Sequence, residues 1–162
     1  MERVLVILLV SGFYTLSVGA SWSADFQKGL TAYDIGDYAT ALREWKPLAE
    51  QGYYNAQNNL GVMYHSGRGV QQDYKTAVKW YRLAAEQGNS RAQYNLGAMY
   101  DNGKGVPQDY VRARMWYNIV ASSGDKEAVK QRDNVAKKMT PSQIETAQKL
   151  ARECVRKEYQ GC

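Results

Sequence analysis

The sequence predicts an all-α fold, a solenoid of helix-turn-helix repeats that ends in a C-terminal capping helix. The first observation behind this prediction is a near repeat at a distance of 36 residues. The stretch 60–64 (Leu-Gly-Val-Met-Tyr) returns as 96–100 (Leu-Gly-Ala-Met-Tyr), and 67–70 (Gly-Arg-Gly-Val) returns as 103–106 (Gly-Lys-Gly-Val). The second observation is the helical spacing of small and apolar residues within each copy. A period of this length is typical of repeats that bury their apolar faces against their neighbours.

The beginning of the chain has the pattern of a secretory signal peptide. A short charged start, residues 1–3, precedes an apolar stretch from Val4 to about Gly19, and Val18-Gly19-Ala20 supplies the small residues that signal peptidase reads. We expect removal of residues 1–20, with a second cleavage position at residue 23 left open. The expected product is periplasmic or secreted, with no stable membrane insertion after cleavage. An uncleaved membrane anchor is the alternative.

The rest of the chain divides into repeat units that follow one another without a linker. The approximate units are 24–52, 53–88, 89–124 and 125–157, followed by a tail, 158–162. In the second unit a helix over Tyr54–His65 is ended by a glycine loop, and Asp73 then caps a helix over Tyr74–Gln87. The third unit copies this pattern, with Asp109 as the cap.

The two outer units depart from the pattern. The first has no Gly-x-Gly-Val insertion, so its turn is shorter. The last is predicted to contain a helix over Lys126–Lys138 and a more polar final helix over Pro141–Lys157. Thr140 and Gln143 have the spacing of a capping box at the start of that helix, and proline fits the first helical position. Across the array, an aromatic stripe is predicted to be core; its members are Trp45, Trp80, Tyr81, Trp116 and Tyr117.

Both cysteines, Cys154 and Cys162, lie close to the C-terminus. An oxidising compartment favours a disulfide between them. Eight residues of straight helix rise about 12 Å, and a disulfide needs Cα atoms roughly 4.4–6.8 Å apart. The pairing therefore requires the helix to end near Lys157 and residues 158–161 to fold back. Free thiols or intermolecular pairing are the alternatives.

These residues resemble the Sel-1-like repeat, a member of the tetratricopeptide superfamily. The second unit carries the pattern in Ala56, Leu60, Gly61, Tyr64, Gly67, Gly69, Val70, Asp73, Ala77, Trp80, Tyr81, Ala84, Ala85, Gly88 and Ala92. Residues 92–128 supply a second copy, and the first unit is more similar to a tetratricopeptide repeat. The resemblance implies a right-handed α-α solenoid. It also implies a non-catalytic adaptor or scaffold of the bacterial cell envelope, with no cofactor, that binds a protein or peptide. A monomer is expected, with self-assembly left open.

In arrays of this kind the first helix of each unit lines the concave groove. The resemblance therefore assigns a partner-binding groove to Tyr33, Asn58, Asn59, Val62, His65, Tyr94, Asn95, Ala98, Asp101, Lys130 and Asn134. Asn59 and Asn95 recur in register and offer amides that can bond a peptide backbone. The alternative is that they brace neighbouring helices.

Other chemistry has less support in the sequence. Secreted cysteine-rich relatives imply an alternative function, a peptidoglycan- or β-lactam-interacting enzyme, and Ser123 and Lys126 have the Ser-x-x-Lys spacing of β-lactamases. They fall at an inter-repeat turn, and the chain lacks a convincing Ser-Asp-Asn partner. His65, the one histidine, has no cysteine or carboxylate cluster beside it, so no metal site is predicted. The net charge is +5 without a run of basic residues, so nucleic-acid binding is not expected.

Overall fold

The computed structural model of the protein describes residues 24–162. The predicted signal peptide, residues 1–20, and the alternative cleavage position at residue 23 lie outside the described residues. Within that range the chain is all-α, without a strand, which confirms the predicted helical-repeat solenoid. Its helices are α1 (Phe26–Asp34), α2 (Tyr38–Glu50), α3 (Tyr54–Ser66), α4 (Tyr74–Ala85), α5 (Ser90–Asn102), α6 (Tyr110–Ala121), α7 (Lys126–Ala136) and α8 (Pro141–Arg156).

The helix starts follow the capping residues predicted from the sequence. Asp73 caps α4 and Asp109 caps α6, each through a side-chain oxygen that accepts hydrogen bonds from backbone N–H groups. At α8 the capping box is complete. Thr140 Oγ1 accepts from the N–H of Gln143 at 3.3 Å, and Gln143 Oε1 accepts from the N–H of Thr140 at 2.9 Å. These bonds satisfy N–H groups that have no partner inside the helix.

Two helices end earlier than predicted. Helix α4 ends at Ala85 instead of Gln87, and α7 ends at Ala136 instead of Lys138. In both places the N–H groups at the predicted end, those of Gln87 and Lys138, bond to carbonyls three residues back, as in a tight turn, instead of four. After α4 the turn is completed by Gly88 at φ +83°, a left-handed conformation that glycine adopts without steric cost.

The helix pairs of the second and third units each close on a glycine. A Cβ at Gly61 of α3 would lie 2.5 Å from the ring of Tyr81 on α4, and one at Gly97 of α5 would lie 3.0 Å from the ring of Tyr117 on α6. The repeated glycine therefore lets an aromatic ring of the second helix pack directly against the backbone of the first. This explains why the Leu-Gly pair recurs at the 36-residue period.

The predicted aromatic core is correct at four of its five positions. Trp45, Tyr81, Trp116 and Tyr117 are 1–2% exposed. Trp80 is the exception, since it is only half-buried. Its counterpart in the third unit, Trp116, is buried in the same cluster as residues of α8, which packs on α6. Among the described helices, α4 packs mainly on α3 and α5 and none covers it as α8 covers α6, so the equivalent ring stays partly exposed.

The last two helices do not pair as the earlier ones do. Helix α8 packs mainly on α6, with α7 also against α6. The buried face of α8 consists of Ala147, Ala151 and Cys154. Small residues on this face allow close approach to α6, while the outer face is polar. Helix α8 therefore covers the end of the array as a cap.

The chain reverses after α8. The helix ends at Arg156, and Glu158 and Tyr159 then adopt φ angles of +51° and +67°. The reversal brings Cys162 to Cys154, with their Cα atoms 5.6 Å apart and their sulfur atoms joined in a disulfide. The fold-back that the sequence required for this pairing is present, and helix α8 ends one residue before the predicted position, Lys157.

Candidate functional site

The strongest candidate site is a cavity on the face formed by the first helices of the second and third units. It has a volume of about 440 Å³ and is open to solvent. It is lined by Asn58, Asn59, Val62, Ser90, Arg91, Tyr94, Asn95, Val120, Asp125 and Glu127. Two successive repeats therefore supply the walls, and the turn that leads into α7 supplies an acidic rim.

Asparagine side chains connect the two repeats at the bottom of this cavity. Asn95 Nδ2 on α5 donates to Asn58 Oδ1 on α3 at 3.2 Å, and Asn58 Nδ2 donates to Asn59 Oδ1 at 3.3 Å. Asn58 is 5% exposed, so its role in the structure is to brace neighbouring helices. Asn59 Nδ2 and Asn95 Oδ1 have no hydrogen-bond partner among residues 24–162, and both side chains are partly exposed. They leave one donor and one acceptor directed to a ligand or to water.

Tyr94 is the aromatic residue of the cavity. Its ring lies 5.3 Å from the ring of the buried Tyr117, which positions it firmly. Burial, and then the negative charges of Glu127 and Asp125, raise the pKa of the Tyr94 hydroxyl, while a hydrogen bond from Gln131 opposes them. The phenol therefore stays protonated at neutral pH, and an apolar ring with a hydroxyl group faces the cavity.

A second, smaller cavity continues along the same face. It measures about 90 Å³, and its lining includes His65, Asn95 and Ala98, with Lys104 at the loop side. Asn95 thus lines both cavities. Burial and the nearby charge of Lys104 lower the pKa of His65, so the imidazole is neutral at pH 7. Its ring lies 5.5 Å from that of Tyr74.

The remaining predicted groove residues lie outside these two cavities. Tyr33 accepts a hydrogen bond from Arg68 at 2.9 Å in the first unit. Asp101 pairs with Lys138 at 3.0 Å, Lys130 with Glu127 at 3.7 Å, and Asn134 accepts from Lys137 at 3.3 Å. Each of the four therefore has a hydrogen-bond or ion-pair partner of its own, and none of them lines the cavity that contains Asn59 and Tyr94.

Sequence reasoning missed the contribution of the inter-repeat turns. Ser90 and Arg91 open α5, and Asp125 and Glu127 stand at the start of α7. Arg91 and Glu127 are one 36-residue repeat apart, so they project from equivalent places beside successive first helices. The signal available in the sequence was the 36-residue offset itself, applied to the turns as well as to the helices.

The Gly-x-Gly loops have a packing role. A Cβ at Gly69 would lie 2.6 Å from Cβ of Tyr38 in the preceding unit. The loop cations stack on the same helix starts, with Arg68 5.9 Å from the ring of Tyr38 and Lys104 5.2 Å from that of Tyr74. The loops therefore join each repeat to the one before it, with cation–π attraction in addition to shape.

The Ser-x-x-Lys pair lies in the turn between α6 and α7. Ser123 Oγ donates to the carbonyl of Val120 at 2.7 Å, and Lys126 is the first residue of α7. No hydrogen bond joins Ser123 to Lys126 in the described part of the chain. Among residues 24–162, no three His, Cys, Asp or Glu side chains cluster as metal ligands would. In the same range, no helix has both the length and the apolar character needed to cross a membrane.

Comparison with known proteins agrees with this architecture. The family model "Sel1 repeat" matches residues 55–89 and 90–125. The crystal structure of c5321, a protective antigen present in uropathogenic Escherichia coli strains and displaying an SLR fold, has 32% sequence identity and a TM-score of 0.77. That match covers 81% of this chain and 29% of the E. coli chain, so our chain spans less than a third of that protein. No curated protein sequence matches the chain.

A second solved structure matches this chain over most of its own length. It is a Sel1 repeat protein from Oxalobacter formigenes, with 38% sequence identity and a TM-score of 0.60. The match covers 67% of this chain and 85% of that one. Since both repeat matches coincide with the helix pairs that carry the candidate site, the chain belongs to the Sel1 repeat family.

Proposed function

We propose that the protein is a non-catalytic adaptor of the bacterial cell envelope that binds a peptide or protein segment in the groove of its first helices. The observation that carries the proposal is the cavity of about 440 Å³ shared by two consecutive repeats. Proteins of this family typically act as scaffolds for protein interactions, and a surface shared between repeats is what a stacked array offers a partner.

The side chains of the cavity suit an extended segment. The free donor of Asn59 and the free acceptor of Asn95 match the alternating C=O and N–H groups of a peptide backbone. Val62 and the Tyr94 ring supply apolar contact, and a partly exposed aromatic residue is a common anchor in interfaces. Glu127 is already paired with Lys130. Asp125, which forms no ion pair among residues 24–162, favours a partner residue with positive charge at that end.

Two observations support a location outside the cytoplasm. Disulfides persist in oxidising compartments, and Cys154 and Cys162 are joined in the structure. The first 20 residues have the signal-peptide pattern. The E. coli relative is described as a protective antigen, which fits exposure of that protein to the host.

The test is a pull-down from cell-envelope extract with a Tyr94→Ala, Asn59→Ala variant. We expect partners recovered by the wild type to be lost, because the variant removes the ring and the free amide while leaving the Asn58–Asn95 brace intact. Tyr53→Ala is the matched control, since Tyr53 is 58% exposed and lies outside the cavity. Equal recovery by all three proteins would contradict the groove.

The enzymatic alternative has its own test. Hydrolysis of nitrocefin by the purified protein, abolished by Ser123→Ala, would overturn the non-catalytic account. We expect no turnover, because the Ser123 hydroxyl is bonded to a backbone carbonyl and no base is bonded to it.

A further inference from the structure

A second groove lies between α6 and α8 and shares no residue with the partner groove. Its volume is about 810 Å³, and it is lined by Asn118, Ile119, Ser122, Lys149, Ala151, Arg152, Glu153, Val155 and Arg156. Ile119 and Ala151 form an apolar floor, and Val155 is 46% exposed beside them. An apolar partner side chain placed in this groove would cover Val155 and gain the free energy of burying apolar surface.

The α8 side of this groove is positively charged. Lys149, Arg152 and Arg156 line it, and the single carboxylate, Glu153, pairs with Arg156 at 4.0 Å. Lys149 and Arg152 form no ion pair or hydrogen bond with any residue in the range 24–162. Two basic side chains are therefore available beside an apolar floor.

A buried arginine, Arg114, lies on α6 near this groove but is not among the residues that line it. Arg114 lies one helical turn before Asn118, is 7% exposed, and has no hydrogen-bond partner for Nε or Nη1 among the described residues. Burial, and then the charge of Arg132 on α7, lower the pKa of its guanidinium, while the carboxylate of Asp133 on α7 opposes them. Uncompensated buried polar groups are rare in native proteins.

We propose that the α6–α8 groove docks an amphipathic helix of a partner protein, with apolar side chains on its inner face and Asp or Glu along its flank. Two packed helices present a trough that a third helix fills with residues spaced three and four apart. The basic side of the trough selects acidic flanks. A two-fold contact with a second copy of this chain would instead bring basic α8 against basic α8, which opposes self-pairing.

The experiment uses two dye-labelled synthetic peptides and fluorescence anisotropy. The first is a sixteen-residue amphipathic helix with leucine at helical spacing and glutamate on its flanks. Its twin carries lysine at every glutamate position. We expect the full mature protein to bind the glutamate peptide at least tenfold more tightly than the lysine twin, with a preference that weakens as salt is added.

Variants of the protein locate the site. Lys149→Gln with Arg152→Gln is expected to weaken binding of the glutamate peptide about tenfold, since two unpaired charges are removed. Lys75→Gln with Lys79→Gln removes the same charge from exposed positions on α4 and should leave binding unchanged. Val155→Ser should weaken binding of both peptides, and Tyr94→Ala should affect neither, which separates this groove from the proposed partner groove. Thermal melts confirm that each variant is folded.

Several results would overturn the proposal. One is equal affinity for the two peptides, and another is a Lys149/Arg152 variant that binds as the wild type does. Binding of phosphatidylglycerol vesicles without binding of the glutamate peptide would assign the groove to an anionic surface. Self-association in sedimentation that Val155→Ser abolishes, again without peptide binding, would assign it to a second copy.

Discussion

Gln160 donates a hydrogen bond from Nε2 to the backbone carbonyl of Glu86 at 2.8 Å, although 74 positions separate the two residues. Beside it, a Cβ at Gly88 would lie 3.1 Å from the ring of Tyr159. The tail after α8 therefore docks on the turn between α4 and α5. Because the disulfide closes the chain between Cys154 and Cys162, it holds this tail in its docked conformation.

Reduction of the disulfide is expected to lower the free energy of unfolding by about 2.5 kcal/mol, the value for a loop of this length in the chain-entropy account. The measurement is urea denaturation of the protein with and without reductant. A variant with both cysteines changed to serine, Cys154→Ser with Cys162→Ser, should resemble the reduced protein and show no response to reductant. A midpoint that reductant leaves unmoved in the wild type would contradict a structural role for the tail.

Replacement of the repeat glycine should destabilise the protein. Gly61→Ala would place a methyl group 2.5 Å from the Tyr81 ring, so the ring must shift, at a cost of roughly 1–3 kcal/mol. Glycine-to-alanine changes inside a helix otherwise stabilise by about 1 kcal/mol, so the sign of the change is diagnostic. Thermal unfolding of Gly61→Ala, alone and with Tyr81→Leu, measures the coupling. Additive effects of the two substitutions would show that the contact is absent.

Replacement of the buried arginine should have the opposite sign. Arg114→Met removes two buried nitrogen atoms, Nε and Nη1, that have no hydrogen-bond partner in the described residues, each with a desolvation cost of about 1 kcal/mol or more. We expect the variant to be more stable than the wild type in urea denaturation. Arg112→Met is the control: Arg112 is exposed, lies 5.5 Å from the Tyr100 ring and should gain nothing. Loss of stability in Arg114→Met would indicate that this guanidinium is paired in solution.

The lone histidine predicts a dependence of stability on pH. Burial lowers the pKa of His65 in the folded state below its unfolded value of about 6.5. The folded protein therefore binds fewer protons than the unfolded chain, and stability falls as the pH falls from about 6.5 through the folded pKa. Urea midpoints between pH 7.5 and 5 should decrease in the wild type and remain flatter in His65→Gln. Hydrogen bonds with Thr76 lower the pKa of the capping carboxylate Asp73. Capping carboxylates of this kind therefore titrate at more acidic pH than His65 and do not obscure this window.

Local signals in the sequence were sufficient for the helices and their caps. The glycine loops, the capping aspartates and the Thr140–Gln143 box act within about one turn of chain. Where they begin or end a helix can therefore be predicted without the tertiary structure. The exposure of Trp80 and the packing of α8 on α6 depend on which element covers which, and no local pattern carries that information. The 36-residue repeat in fact favours the wrong answer for Trp80, because its copy, Trp116, lies under the cap.

The site was predictable in outline. The repeat register identified Asn58, Asn59, Val62, Tyr94 and Asn95, which the structure brings to one cavity. Register alone could not separate Asn58, which braces α3 against α5, from Asn59, because the two differ by a rotation of one residue around the helix. Nor could it show that Asp101 forms an ion pair with Lys138 and that Lys130 forms one with Glu127.

The central claim is that the face formed by α3 and α5 binds a partner segment. Its most direct test is photo-crosslinking in intact cells, with benzoylphenylalanine in place of Tyr94 and, as the control, in place of Tyr53. The account predicts that position 94 yields a distinct crosslinked partner, that peptide mapping assigns the link to one short segment of it, and that position 53 does not yield it. Identical adducts from the two positions, or none from position 94, would contradict the account.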